Sequence, residues 1–250
     1  MRNLLFSLRF NGAAYHGWQM QQNAVSVQQV FSEALENVLH EKVDVKGCSR
    51  TDAGVHANQF CASVKTSRTI PCERLVFAVN HFLPPDVAAW SCREVPLSFH
   101  ARYDCRGKEY VYLIWNARVR ASFLYARALH DLCPLDAEQL NRAAQAFVGY
   151  HDFTSFCTLD KRQGRNFCRT VTHASVRRDG DLVRFTVAAD GFLYNMVRIL
   201  VGTLLYVAQG KLSGADLPRI FEARDRAAAG PTAPPQGLYL NRVFYDEGVL

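Results

Sequence analysis

Leu4, Phe6, Leu8 and Phe10 alternate with less apolar positions, a period of two that predicts a half-buried strand. Asn11-Gly12 then signals a turn. Ser26 with Gln29 three residues on reads as a capping box. Val27, Val30, Phe31, Ala34, Leu35, Val38 and Leu39 follow at helical spacing as one apolar stripe. Residues 43–47 and 58–65 read as short strands. Pro71 marks a helix start, continued by Leu75, Val76, Val79 and Phe82, and residues 87–95 read as another strand. The predicted order is β-α-β-β-α-β, the split βαβ or ferredoxin-like pattern.

The rest of the chain repeats that order loosely. Residues 109–115, rich in Tyr, Val and Ile, read as a strand. Asp136 caps a helix bearing Leu140, Ala143, Ala144, Phe147 and Val148. Residues 171–177 and 182–188 flank Asp179-Gly180, a hairpin turn. Residues 192–208 form a long apolar helix, a short one follows near 217–221, and 238–245 read as a closing strand. The expected fold is α+β with two ferredoxin-like (RRM-like) halves, 1–103 and 104–250, each an antiparallel sheet with helices on one face. The halves share topology without evident sequence identity. Residues 229–235, with three prolines and a glycine, read as a rigid loop.

Composition narrows the class. The chain has 250 residues, 49% hydrophobic and 21% charged, which excludes disordered and collagen-like chains. The apolar stretch 192–208 contains Asn195 and Arg198 and falls short of the roughly 20 residues a membrane span needs. Arg9 and polar residues soon follow Leu4 and Leu5, so no signal-type core forms and a cytoplasmic protein is expected. The 8 cysteines include no CxxC pair, so no zinc or redox motif is present, and disulfides are not expected. The formal net charge is +6, of which +1 falls in residues 1–100 and +5 in the remainder. From residue 161 to 178 there are six basic side chains (Lys161, Arg162, Arg165, Arg169, Arg177, Arg178) and no acidic one. A patch of this kind fits a polyanion, and a solvated loop explains it equally well.

Three groups of residues offer chemistry. The first is Arg50-Thr51-Asp52-Ala53-Gly54-Val55-His56-Ala57, in which Gly54 permits a sharp turn and Asp52 sits at the tip. On its own such a segment is usually an ordinary turn. The second is Gly191 to Arg198, where Asn195 and Arg198 interrupt an apolar helix. A buried guanidinium needs an anionic partner, and Asp52 is the natural nominee; an exposed Arg198 needs none. The third is Tyr110-x-Tyr112 beside Arg102, Arg106 and Lys108, which suits base stacking with phosphate contact. One such tyrosine more commonly lines the core. Two other classes fit parts of this set: a non-catalytic RNA-binding protein, and a metal-dependent hydrolase using Asp52, His56 and His151.

Taken together, the segments resemble the tRNA pseudouridine synthase A family over nearly the whole chain. Gly12-x-x-Tyr15-x-Gly17-Trp18-Gln19-x-Gln21 and Ser26-Val27-Gln28 resemble its N-terminal block. Arg50 to Ala57 matches its catalytic signature. Ala101-Arg102-Tyr103 with Tyr110-x-Tyr112, His151-Asp152-Phe153 with Phe156 and Arg169-Thr170, and Gly191 to Arg198 resemble its later motifs. Ala229 to Pro235 with Gly237-Leu238 resembles its C-terminal block. Ser49 stands where many members have glycine, and Asn11 where the block usually has aspartate.

The resemblance implies isomerisation of uridine to pseudouridine in tRNA, on the 3′ side of the anticodon stem-loop. It implies no cofactor, no metal and no membrane. The catalytic residues would be Asp52, Arg198 and Tyr110. Asp52 would act as the ionised carboxylate, a state that a guanidinium favours. Tyr110 would stack on the detached uracil. Arg50 would fill the place the target base vacates or hold phosphate, while Thr51 and His56 would shape the loop beside the substrate. Arg102, Lys108, Arg162, Arg165, Arg169 and Asn195 complete the expected tRNA-binding set, with Arg106 and the rest of 161–178 adding phosphate contacts. A symmetric homodimer is also implied.

Overall fold

The computed structural model describes residues 1–159 and 166–249. Its elements run β1 (Arg2–Phe10), α1 (Val27–Leu39), β2 (Lys46–Gly47), β3 (His56–Thr66), α2 (Cys72–Phe82), β4 (Val87–Val95), β5 (Gly107–Trp115) and β6 (Leu129–His130). They continue α3 (Ala137–Ala144), β7 (Gly149–Asp152), β8 (Cys168–Asp179), β9 (Leu182–Ala189), α4 (Met196–Ala208), α5 (Leu217–Ala223) and β10 (Leu238–Phe244). The fold is α+β with mostly antiparallel pairing. It divides into two units, one of residues 1–106 with the closing segment from Tyr239, the other Gly107–Leu238. The second unit starts three residues past the expected boundary. The closing strand groups with the first unit because Tyr239 and Leu240 pair in parallel with His56 and Ala57. Tyr245 also donates its phenol to the Ala101 carbonyl at 2.6 Å.

In the first unit β1 lies between β3 and β4, antiparallel to both, and β2 pairs with β3. The alternation in β1 predicts one wet face; the strand is instead buried on both faces from Asn3 to Leu8. Phe6 meets Phe31 of α1 edge-on at 5.5 Å. On the opposite face Asn3 donates to the carbonyls of Pro96 and Phe99 (3.0 and 2.8 Å), and Ser63 accepts from the Ala101 amide at 3.1 Å. The segment after β4 therefore covers that face, and its backbone satisfies Asn3 of β1 and Ser63 of β3.

Ser26 caps α1 by accepting from the Gln29 amide at 3.3 Å. The reciprocal half of the expected capping box is missing, because the Gln29 side chain donates to Glu33 one turn on. Val27, Phe31, Ala34, Leu35 and Leu39 carry the buried stripe. In α2 Leu75 and Val79 are buried, whereas Phe82, expected in that stripe, is exposed at the helix end.

In the second unit β5 pairs with β9, β9 with β8 and β8 with β7, all antiparallel, while β6 lies parallel to β5. The hairpin turn falls at Gly180-Asp181, one residue beyond the predicted pair, with Gly180 at φ +55°. Asp136 caps α3 by accepting from the amides of Glu138 and Gln139. The helix α4 is buried almost all round. Phe147, Phe153, Phe156 and Phe221 cluster in the core with T-shaped and tilted contacts.

Candidate active site

Asp52 sits in the loop between β2 and β3, half-buried, with its carbonyl accepting from the Val55 amide at 3.2 Å. Gly54 at φ +77° closes that turn, a conformation that favours glycine. The loop lies directly on the segment after β1. Trp18 donates its amide to the Thr51 carbonyl and Gly54 donates to the Tyr15 carbonyl, both at 3.2 Å. A Cβ on Gly17 would meet the Thr51 carbonyl oxygen at 2.2 Å, and one on Gly12 the Val55 oxygen at 1.9 Å. The two glycines are thus the surface on which the Asp52 turn rests.

That bed is itself fixed. The Trp18 ring stacks on Phe60 of β3 at 4.0 Å. The Tyr15 phenol donates to Asp86 at 2.6 Å, and its pKa is raised by burial first and by that carboxylate second. His56 is 1% exposed; its Nδ1 accepts from the Gly12 amide at 3.0 Å and its ring stacks on Tyr239. Asn11 Oδ1 accepts from the Ala13 amide at 3.1 Å, a capping role an aspartate would fill equally well. Arg50 is exposed, and Thr51 is buried with no hydrogen-bond partner for its hydroxyl among the described residues.

In the second unit Asn195 precedes α4 at φ +60°, a left-handed conformation that asparagine tolerates better than most residues. Its side chain accepts from Arg198 Nη1 at 2.9 Å and donates to Thr158 Oγ1 at 3.0 Å. Arg198 is half-buried and also donates through Nε to the Ala233 carbonyl at 2.7 Å. The loop carrying Ala233 is pressed against α4: a Cβ on Gly202 would meet the Pro231 oxygen at 1.7 Å. Two fixed acceptors therefore orient the guanidinium plane. Tyr110 is buried and meets Phe192 edge-on at 4.9 Å. Tyr112, on the same face of β5, is fully buried and donates to the Pro234 carbonyl at 2.7 Å. Burial raises its phenol pKa, against the opposing pull of the nearby Arg198 charge.

The expected phosphate contacts fare unequally. Arg102 is exposed, while Lys108 and Arg169 are half-buried. Arg169 donates to the carbonyls of Asn166 and Cys168. Arg106, expected to grip phosphate, forms a two-pronged pair with Asp246 (2.9 and 2.8 Å). Arg178 is spent on the carbonyls of Gly180 and Leu135 and on Asn116. Lys161, Arg162 and Arg165 lie outside the described residues. Sequence reasoning missed the orienting partners Thr158, the Ala233 carbonyl and Tyr239, which carry no local signal. Among the described residues no group of three or more His, Cys, Asp or Glu could hold a metal, and no helix is long and apolar enough to cross a membrane.

A family model described as tRNA pseudouridine synthase matches residues 7–104 and 143–246. The chain belongs to the tRNA pseudouridine synthase family. Members of this family are isomerases, and so is this chain. It is 44% identical over 245 residues to the tRNA pseudouridine synthase A of Acetivibrio thermocellus, covering 98% of this chain and 100% of that protein. The tRNA pseudouridine synthase A of Thermoanaerobacter sp. is 41% identical with the same coverage. A tRNA pseudouridine synthase A 2 from Clostridium tetani is 39% identical over 98% of this chain and 99% of that one. The family match spans both the Asp52 turn and the Arg198 helix.

Proposed function

We propose that the chain converts uridine to pseudouridine in tRNA, on the 3′ side of the anticodon stem-loop, with Asp52 as the catalytic carboxylate. The observation that carries this reading is the Asp52 turn, seated on Gly12 and Gly17 in a chain whose relatives bear the synthase name end to end. The reaction breaks the C1′–N1 bond, forms a C1′–C5 bond, removes the C5 proton and leaves a proton on N1. No electron or group passes to a second substrate. Asp52 serves as nucleophile or as proton acceptor, and either role requires a carboxylate held in one orientation.

Arg198 is the cation serving that carboxylate, with Asn195 fixing its fork. Tyr110 stacks on the detached uracil. Arg50 takes the place of the extruded base or holds its phosphate, at the few kcal/mol that unstacking costs. Thr51 and His56 shape the loop. Arg102, Lys108, Arg162, Arg165 and Arg169 grip phosphates, so affinity falls steeply with salt. Both halves are read as versions of the ferredoxin-like pattern; support comes from the first, with its order β1-α1-β2-β3-α2-β4 and β1 between β3 and β4. The working form is a cytoplasmic homodimer.

The test is tritium release from tRNA transcripts labelled at uridine C5. Wild type should release tritium without added metal or cofactor. Asp52→Asn should still bind tRNA and release tritium at least about a hundred-fold more slowly, the low end for a group that moves protons. Salt-sensitive tRNA binding by a wild type that releases nothing would leave a non-catalytic RNA-binding protein.

A further inference from the structure

The loop from Asn116 to Ala128, joining β5 to β6, takes no part in the steps above. Both its ends are tied. The Asn116 amide donates to the Asp181 carbonyl at 2.8 Å, and its side chain donates to the carbonyls of Asp131 and Cys133 at 2.9 and 2.7 Å. The Trp115 indole closes on the Val119 carbonyl at 2.8 Å, and Ile114 and Trp115 pair with Leu129 and His130. Inside, Ser122–Leu124 form a 3-10 turn, and the amides of Leu124, Tyr125 and Ala128 donate back within the loop.

This ordered loop turns its largest side chains outward. Phe123 is 91% exposed and Tyr125 84%. Presenting two rings to water from a backbone tied at both ends gains nothing within the chain and leaves both rings available to a partner. The charge identifies the partner. Between Asn116 and His130 the sequence has Arg118, Arg120 and Arg127 and no carboxylate. Arg118 and Arg120 are exposed, and among the described residues no carboxylate pairs with either. A second copy docking here about a two-fold axis would bring the same loop, which has no carboxylate of its own to meet these guanidinium groups. A polyanion with planar bases uses both features at once.

We propose that this loop is a second RNA-docking surface, on which Phe123 and Tyr125 stack against bases that a folded tRNA leaves unpaired and Arg118 and Arg120 hold the neighbouring phosphates. Trp115 lies five residues along β5 from Tyr110, about 17 Å at strand rise. The loop therefore starts at the end of β5 farther from Tyr110, and the proposal assigns it nucleotides other than the one being isomerised. The proposal rests on the RNA substrate proposed above.

The test compares wild type with Phe123→Ala/Tyr125→Ala on full-length tRNA and on a short hairpin carrying the same target uridine. The double variant should melt with wild type, since both rings are in water. Its KM for full-length tRNA should rise roughly ten-fold at unchanged kcat, as expected for one or two lost base stacks. Its KM for the hairpin should stay within about two-fold. Arg118→Gln/Arg120→Gln keeps the rings and should flatten the salt dependence of tRNA binding. Equal KM for wild type and both variants on full-length tRNA would overturn the proposal. So would a change in sedimentation with tRNA affinity unaltered, which would assign the face to a second copy. If wild type releases no tritium, the isomerase reading fails separately, and filter retention of tRNA still reports on the loop because binding needs no turnover.

Discussion

Thr51 precedes the carboxylate on which the proposed chemistry turns, and its hydroxyl is buried without a partner among the described residues. An unmet buried hydroxyl costs about 1–3 kcal/mol. Thr51→Val keeps the branched shape, removes the polar atom, and should raise stability by about 1 kcal/mol in urea titrations. Tritium release should stay within about three-fold of wild type; a larger loss in a stabilised protein would instead give the hydroxyl to the substrate. Asn195 poses the complementary case. Asn195→Gly keeps the left-handed backbone and deletes both side-chain bonds, so it should cost little stability while leaving the Arg198 fork held only on its Ala233 side among the bonds described above. Arg198→Lys has one ammonium where a planar fork reaches both Asn195 and Ala233. Both variants should lose activity by ten-fold or more in kcat. Unchanged kcat in both would remove Arg198 from the reaction. The candidates were legible through the ordered motifs of the family resemblance, since Asp52 alone reads as an ordinary turn residue and only Arg198 stands out, in an apolar helix. The atoms that orient Arg198 were not: one is a backbone carbonyl 35 residues away, which leaves no mark on residue type.

Among the elements, α4 shows why periodicity finds an element more readily than its neighbours. An apolar run of this length reads as a helix, and the Pro-rich segment after it reads as a rigid loop. That the two touch backbone to backbone follows only from Gly202 facing Pro231 and Gly230 facing Gly202, a long-range match of two missing side chains. Gly202→Ala would place a methyl group 1.7 Å from the Pro231 oxygen. The helix or the loop must move, and overpacking of this kind costs about 1–3 kcal/mol. Because that loop carries the Ala233 carbonyl, activity should fall further than stability, a split visible by comparing urea midpoints with tritium release. The short strands β6 and β7 escaped prediction for another reason. Two and four residues are too few to display a period, and neighbouring strands define them instead. In β1 the alternation misled, since Asn3 and Ser7 are polar yet buried.

For the whole molecule, a count of basic residues overstates the side chains available to RNA, because Arg106 is paired with Asp246 and Arg178 donates to fixed oxygen acceptors. Ionisation also bounds the pH range of stability on both sides. Glu36 is held below its ordinary pKa by Lys42, Glu41 by the Thr66 and Ser67 hydroxyls, and Asp246 by Arg106. A lowered folded pKa gives stability that is present above the unfolded value, near 4, and is lost as pH falls through the folded one. All three groups lie at the surface, so the acid limb should be shallow and should fade in high salt. The alkaline side has the opposite sign. Burial pushes the Cys61 thiol up to about 12, and the phenols of Tyr112 and Tyr245 are raised chiefly by the same cause. Above about pH 8.5 an unfolded thiol releases a proton that the folded one retains, so the unfolded state binds fewer protons and stability declines as pH rises. Melting temperature should therefore hold between about pH 5 and 8 and drop more steeply above 9 than below 4. Cys61→Ala should flatten the slope between pH 8.5 and 10, whatever it does to stability at neutrality. An unchanged slope would mean that the thiol ionises as readily in the folded chain as in the unfolded one, and that the sheet around it admits water.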